Sequence, residues 1–152
     1  MQNRHATALV IADRGIVIEG ASGAGKTTLA LELIAAFSAR GVFARLVSDD
    51  QLFLAAHHGR LLARPPATIG GLAEARGFGP APIDHLPAAV VDLVIRLVDA
   101  EHAPRVHDDR TIACEGVVLP CLDLPARAAR GAVHAVAACL DLPPFGGIQA
   151  TP

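Results

Sequence analysis

The apolar positions of this chain fall mostly in short β-branched runs cut by glycine, proline and charge, and two longer stretches carry helical spacing. Residues 6–12 and 16–19 are two such runs around Asp13-Arg14-Gly15, which predicts a hairpin or two adjacent strands. Residues 27–40 then place Leu29, Leu33, Ala36 and Phe37 at helical intervals, with Gly41 where a helix-ending glycine belongs. Residues 42–48 predict a strand that ends in Asp49-Asp50. Residues 52–55 and 60–63 flank His57-His58-Gly59 as a second hairpin. The Gly- and Pro-rich residues 69–82 predict a loop, with one helical turn near Leu72-Ala73-Glu74. Residues 88–98 predict a buried strand, and Asp92 and Arg96, on one of its faces, suggest that one edge is wet. A polar loop over 103–110 leads to strands at 111–113 and 117–124. Pro125 is expected at the start of a closing helix over 126–140, and the remainder is expected as a loose tail. No repeat or linker divides the pattern, so residues 1–142 are expected to form one domain, with 143–152 as tail.

Composition narrows the function classes. The chain has 152 residues, Lys+Arg 13 against Asp+Glu 15, a net charge of −2 and 3% aromatics. That is a poor surface for nucleic acid, which calls for a basic footprint and stacking rings. No apolar run reaches the roughly 18–20 residues of a membrane span. Asp13 falls where a signal peptide would still be apolar. Cys114, Cys121 and Cys139 are an odd count without metal-site spacing, and read as small core residues in a reducing cytoplasm. Of the thirteen basic residues twelve are arginine, and Lys26 is the single lysine.

Lys26 stands inside the chain's most specific motif. Gly20-Ala21-Ser22-Gly23-Ala24-Gly25-Lys26-Thr27 fits GxxxxGK[ST] at every position, after a predicted strand and before a predicted helix. Such a loop turns successive backbone N–H groups, Thr28 included, into one anion-binding concavity, and the helix N-terminus adds positive potential there. The ammonium of Lys26 reaches β- and γ-phosphates, and the hydroxyl of Thr27 can ligate Mg²⁺. A planar guanidinium cannot replace a compact ammonium in that nest, which explains a lone lysine in an arginine-using chain. Asp49-Asp50, at the end of a neighbouring strand, supplies the carboxylate such loops need near the metal. The second acid suggests a division of labour, with one acid ordering metal or water and the other taking a proton from an attacking hydroxyl. Arg76 lies in a loop where Gly77 and Gly79 let the backbone approach a ligand closely. His57-His58 reads as a solvated hairpin tip and Asp108-Asp109 as a loop charge pair.

These residues together resemble HPr kinase/phosphorylase, the bacterial enzyme that phosphorylates a serine of the phosphocarrier protein HPr. His5 stands fifteen positions before Gly20, the helix reads TTLALEL, the strand end reads LVSDD, and Glu74-Ala75-Arg76-Gly77-Phe78-Gly79 is similar to the family signature E-x-R-G-x-G. The resemblance covers about residues 5–130. It implies an α/β P-loop domain with a mixed β-sheet, like the HPr kinase and phosphoenolpyruvate carboxykinase group. It implies ATP with Mg²⁺, or phosphate and pyrophosphate, on the loop, with Thr27, Asp50 and Glu74 as metal ligands. Asp50, aided by Asp49, would accept the serine proton; His5, Arg76 and Arg105 would belong to the active site; Arg127 would fall in the loop linked to phosphorolysis. HPr is the implied partner and a homo-oligomer, a hexamer in the family, the implied assembly. The sequence shows neither the N-terminal domain of the family's long form nor its further C-terminal helix, and so looks like the short alphaproteobacterial versions. Two other classes remain open on the residues alone: a small-molecule P-loop kinase, and an ATP-binding regulatory module without catalysis.

Overall fold

The computed structural model describes residues 2–67 and 70–146. The first apolar runs pair as expected: β2 (Thr7–Ile11) and β3 (Arg14–Gly20) form an antiparallel hairpin. Both strands are buried through most of their length, which is why neither alternates apolar with polar residues. Helix α1 (Lys26–Ala39) follows β3, and β4 (Ala44–Ser48) returns alongside β2. The helix closes with two capping bonds, Gly41 N–H to Ser38 O at 3.1 Å and Val42 N–H to Phe37 O at 2.9 Å. They require the left-handed Gly41, φ 76°. β5 (Leu52–His57) and β6 (Arg60–Arg64) join through left-handed His58 and Gly59.

β9 (Ala89–Val98) is the middle of the sheet. It runs parallel to β3 on one side; on the other it pairs antiparallel with β6 at its start and parallel with β11 (Val117–Pro125) along its second half. β10 (Thr111–Cys114) extends β11, and β1 (Gln2–Arg4) extends β5. Among the described residues the mixed sheet therefore has nine strands, with β4 and β1 at the ends of its main path. Both helices cover one face, where Leu29, Leu33 and Phe37 of α1 meet Val133 and Val136 of α2 (Ala129–Cys139) over Ile16, Ile18 and Ile95. A second cluster on the other face joins Val17, Val47, Leu54, Leu61 and Val94 beneath the curled ends of the sheet.

Three expectations need correction, and one strand is new. Residues 72–82 are not a loop with a helical turn. They form a separate ribbon, β7 (Leu72–Ala75) with β8 (Gly79–Pro82), in which Glu74 faces Pro80 and Leu72 faces Pro82. Prolines hide a strand from propensity, but in a two-stranded ribbon their missing N–H can face outward. Pro125 does not open the closing helix. The parallel ladder runs on to Pro125 opposite Val98, Arg127 is left-handed at φ 56°, and α2 begins at Ala129. The strand over 89–98 has neighbours on both edges, so Asp92 and Arg96 mark no wet edge. Asp92 accepts the Gly15 N–H at 3.0 Å beside a register shift, and Arg96 is an ion-pair partner. Finally, the polar residues 2–4 form a strand that their pattern does not announce. The expected tail falls partly outside the described residues, as does Ile69.

Asp123, buried on β11, ties two arginines together. Arg96 donates to both of its carboxylate oxygens at 2.9 Å each, and Arg110 Nη1 donates to Oδ2 at 2.6 Å. The bond from Arg96 holds the Asp123 carboxyl below the ordinary carboxylate range against the opposing effect of burial. Because the folded value is depressed, this stabilisation is complete above about pH 4 and is lost as pH falls through the lower folded value. Asp123→Asn should cost on the order of 2 kcal/mol at neutral pH, the low side for a broken buried pair because both guanidinium groups reach water. Urea titration at pH 7 and pH 3 checks this: the difference between variant and wild type should shrink at the lower pH.

Candidate active site

Strand β3 ends at Gly20 directly under the loop. A Cβ there would lie 3.1 Å from the Cβ atoms of Ala24 and Leu97, so a larger residue would crowd the loop against β9 by a few tenths of an ångström. Gly25 opens α1 in the left-handed region, φ 96°, and supplies no side-chain cap, which leaves the first-turn amides free to face an anion. Lys26 is buried and folds back along the loop, its Nζ donating to Gly20 O at 3.0 Å and Ala21 O at 3.4 Å.

The acidic end of β4 reaches this loop. Thr27 Oγ1 donates to Asp49 Oδ1 at 2.7 Å, and the Glu74 backbone N–H donates to Asp49 Oδ2 at 3.0 Å. Asp49, buried, thus joins the start of α1 to ribbon β7–β8 and works as a hydrogen-bond acceptor. Asp50 is exposed and left-handed, φ 64°. That conformation is unfavourable for a residue with a Cβ and persists only where the surroundings hold it.

Two cavities meet here. One, about 330 Å³, is lined by Ser22, Gly23, Gly25, Lys26, Thr27 and Thr28 of the loop, Leu31 and Glu32 of α1, and Asp50, Glu74 and Arg76. The other, about 430 Å³, is lined by Thr27, Asp49, Asp50, Gln51, Leu72, Ala73, Glu74 and Pro80. Thr27, Asp50 and Glu74 border both. A hydroxyl and carboxylates are hard oxygen donors of the kind Mg²⁺ takes, so the residues present fit that ion.

Of the residues singled out in the sequence, the structure brings together Gly20 to Thr28, Asp49, Asp50, Glu74 and Arg76. His5 is exposed between β1 and β2, two residues before Thr7, whose hydroxyl reaches Asp49. Arg105 is not brought to the loop. It borders another cavity, of about 320 Å³, with His107, Asp123, Leu124 and Cys139. Arg127 is the arginine that touches the loop, its N–H donating to Ala24 O at 2.9 Å and its Nη1 to Gly23 O at 3.4 Å. Thr7 carried no sequence signal beyond its place two residues after His5. The exposed cluster Asp99, Glu101 and His102 lies on a short 3₁₀ turn, away from these residues in the chain.

The cysteines belong to the core. Burial pushes the Cys121 thiol up to about 11 and raises Cys114 as well. Both should resist a thiol-specific reagent at pH 8 in the folded protein and react once it is denatured, a difference that absorbance titration measures.

Comparison with known proteins decides the family. The family model described as HPr Serine kinase C-terminal domain matches residues 1–140. The chain belongs to this family. An HPr kinase/phosphorylase from Clostridium beijerinckii is 40% identical over 75 residues, covering 49% of this chain and 23% of that protein. One from Limosilactobacillus reuteri is 29% identical over 140 residues, covering 83% of this chain and 41% of that protein. The chain thus spans well under half the length of these curated relatives. The solved structure of the Hpr(Ser) kinase/phosphatase from Coxiella burnetii matches with a TM-score of 0.75 at 27% identity, covering 92% of this chain and 88% of that one. The kinase fold of the family, a P-loop on a mixed sheet, is therefore the fold of this chain. Among the described residues, no helix is long and apolar enough to cross a membrane.

Proposed function

We propose that the chain is an ATP-dependent kinase acting on a serine of HPr. The observation that carries this reading is that Asp50 borders both cavities. One is built by a phosphate loop and suits the donor; the other is open to an acceptor. A binding module needs only the first.

In this reading the loop amides and Lys26 hold the β- and γ-phosphates, and the α1 N-terminus adds its partial positive charge. Thr27, Asp50 and Glu74 would hold Mg²⁺, which supplies charge neutralisation on the phosphates. Asp49 fixes the Thr27 hydroxyl by accepting its hydrogen, leaving the oxygen's lone pairs toward the metal. Asp50 takes the serine proton as the hydroxyl oxygen attacks the γ-phosphorus and the bond to the ADP oxygen breaks. Arg76, at the wall of the first cavity, would offset charge on the transferred group, and Arg127 would brace the loop through its bonds to Gly23 and Ala24. The reverse reaction, in which phosphate attacks phosphoserine and releases pyrophosphate, uses the same groups with Asp50 returning the proton.

The test is where label goes. With γ-labelled ATP, Mg²⁺, HPr and the small-molecule fraction of a bacterial extract, label should partition to HPr. Label in a small molecule would favour a small-molecule kinase, and binding without transfer a regulatory module.

A further inference from the structure

We propose that Thr7 is a positioning residue that sets the direction of Asp50 through its hydroxyl; this rests on the serine-kinase reading for its effect on rate, but not for its effect on structure. Thr7 opens β2 and is fully buried, flanked by the equally buried Ala6 and Ala8. A hydroxyl in such surroundings is unfavourable unless bonded. This one is bonded in both senses: Oγ1 donates to Asp49 Oδ1 at 3.2 Å and accepts the Asp50 N–H at 3.2 Å.

The polarity of these bonds is fixed. The Asp50 amide has only a hydrogen to give, so it occupies an oxygen lone pair on Thr7. The single hydroxyl hydrogen is then directed at Asp49. Thr7 and Thr27 therefore converge on the same carboxylate oxygen, while the Glu74 amide holds the other. One buried side chain links the acid that fixes Thr27 to the backbone of the acid that borders both cavities.

The sheet places Thr7 for this. β2 and β4 run antiparallel with Ala8 opposite Ser48 but Leu9 opposite Leu46, so a bulge at Val47 carries the start of β2 alongside Asp49-Asp50. The left-handed Asp50 sits just beyond that bulge. Besides the Thr7 bond, Gln51 N–H to Asp49 O at 2.8 Å and the Ser48 hydroxyl to Gln51 O brace the turn. Those two hold the turn's backbone closed; the Thr7 hydroxyl ties the Asp50 amide to β2. Valine has nearly the shape of threonine and keeps the packing while removing both bonds.

Thr7→Val, Thr7→Ala and Thr7→Ser are compared by steady-state phosphorylation of HPr, by ATP affinity and by hydrogen exchange at the Asp50 amide. Without the hydroxyl, kcat should fall by about 10- to 100-fold, the scale of a misplaced catalytic group, with KM for ATP changed less than about threefold. Thr7→Ser should recover most of that loss. Asp50 amide exchange should accelerate in the Val and Ala variants and not in Ser. Unchanged kcat and unchanged exchange in both Val and Ala would overturn the assignment. So would a Ser variant as impaired as they are, which would make the methyl rather than the hydroxyl responsible. If wild type leaves HPr unlabelled, the kinase reading fails, while the exchange result still decides Thr7.

Discussion

Asp50→Asn should lower the rate of HPr phosphorylation by about 10²- to 10⁴-fold, the usual contribution of a general base. ATP binding should change far less, because the loop amides and Lys26 are untouched by the change. Asparagine keeps the shape and tolerates the left-handed backbone that Asp50 adopts, φ 64°, so the fold has no reason to suffer. Asp49→Asn should behave differently. Asp49 accepts from Thr7, Thr27 and the Glu74 amide, and an amide group offers one acceptor oxygen where the carboxylate offered two. At least one donor is then stranded, so the loss should reach stability as well as rate. Single-turnover kinetics, with thermal melts of both variants, separates the two roles. A melting temperature lowered equally by the two substitutions would contradict the division of labour.

The second large effect is expected at Lys26. In the proposed mechanism Lys26→Ala removes the ammonium meant for the phosphates and should cost about 10²- to 10³-fold in kcat, as the loss of a charge-stabilising donor does. It also removes the bonds that Nζ gives to Gly20 O and Ala21 O. Lys26→Arg should not rescue the activity. The site is nearly closed around the side chain, 8% exposed, and the guanidinium fork is too broad for a nest of backbone amides. Calorimetric titration of ATP into both variants, beside the kinase assay, checks this. An Arg variant with near-wild-type activity would show that charge alone, without shape, suffices.

The half of the site built on local pattern was legible in the sequence. A phosphate loop is contiguous, and its strand, glycines and helix each leave a period or a residue type that can be read. Asp49-Asp50 was legible because it ends a predicted strand. The partners of each acid were not, because they depend on the Thr27 hydroxyl and the Glu74 amide meeting Asp49 across the fold. Thr7 was invisible for the same reason: one threonine in an apolar run becomes a hydrogen-bond bridge only when the β2–β4 register is known. The ribbon carrying Glu74 and Arg76 was misread as loop because Pro80, Pro82 and the turn glycines outweighed the short Leu72-Ala73-Glu74-Ala75 strand. Arg105 and Arg127 show the limit most clearly. Both stand in polar segments, and only the left-handed turn at Arg127, which ends the β11 ladder and packs on Ala24, brings one of them to the loop.

In the proposed reaction one serine hydroxyl of a protein partner receives the γ-phosphoryl group at this site. Purified chain, ATP, Mg²⁺ and HPr from the same organism should yield phosphoserine at a single HPr position by mass spectrometry, abolished when that serine is replaced by alanine. Consumption of ATP under those conditions with HPr unmodified would contradict the account.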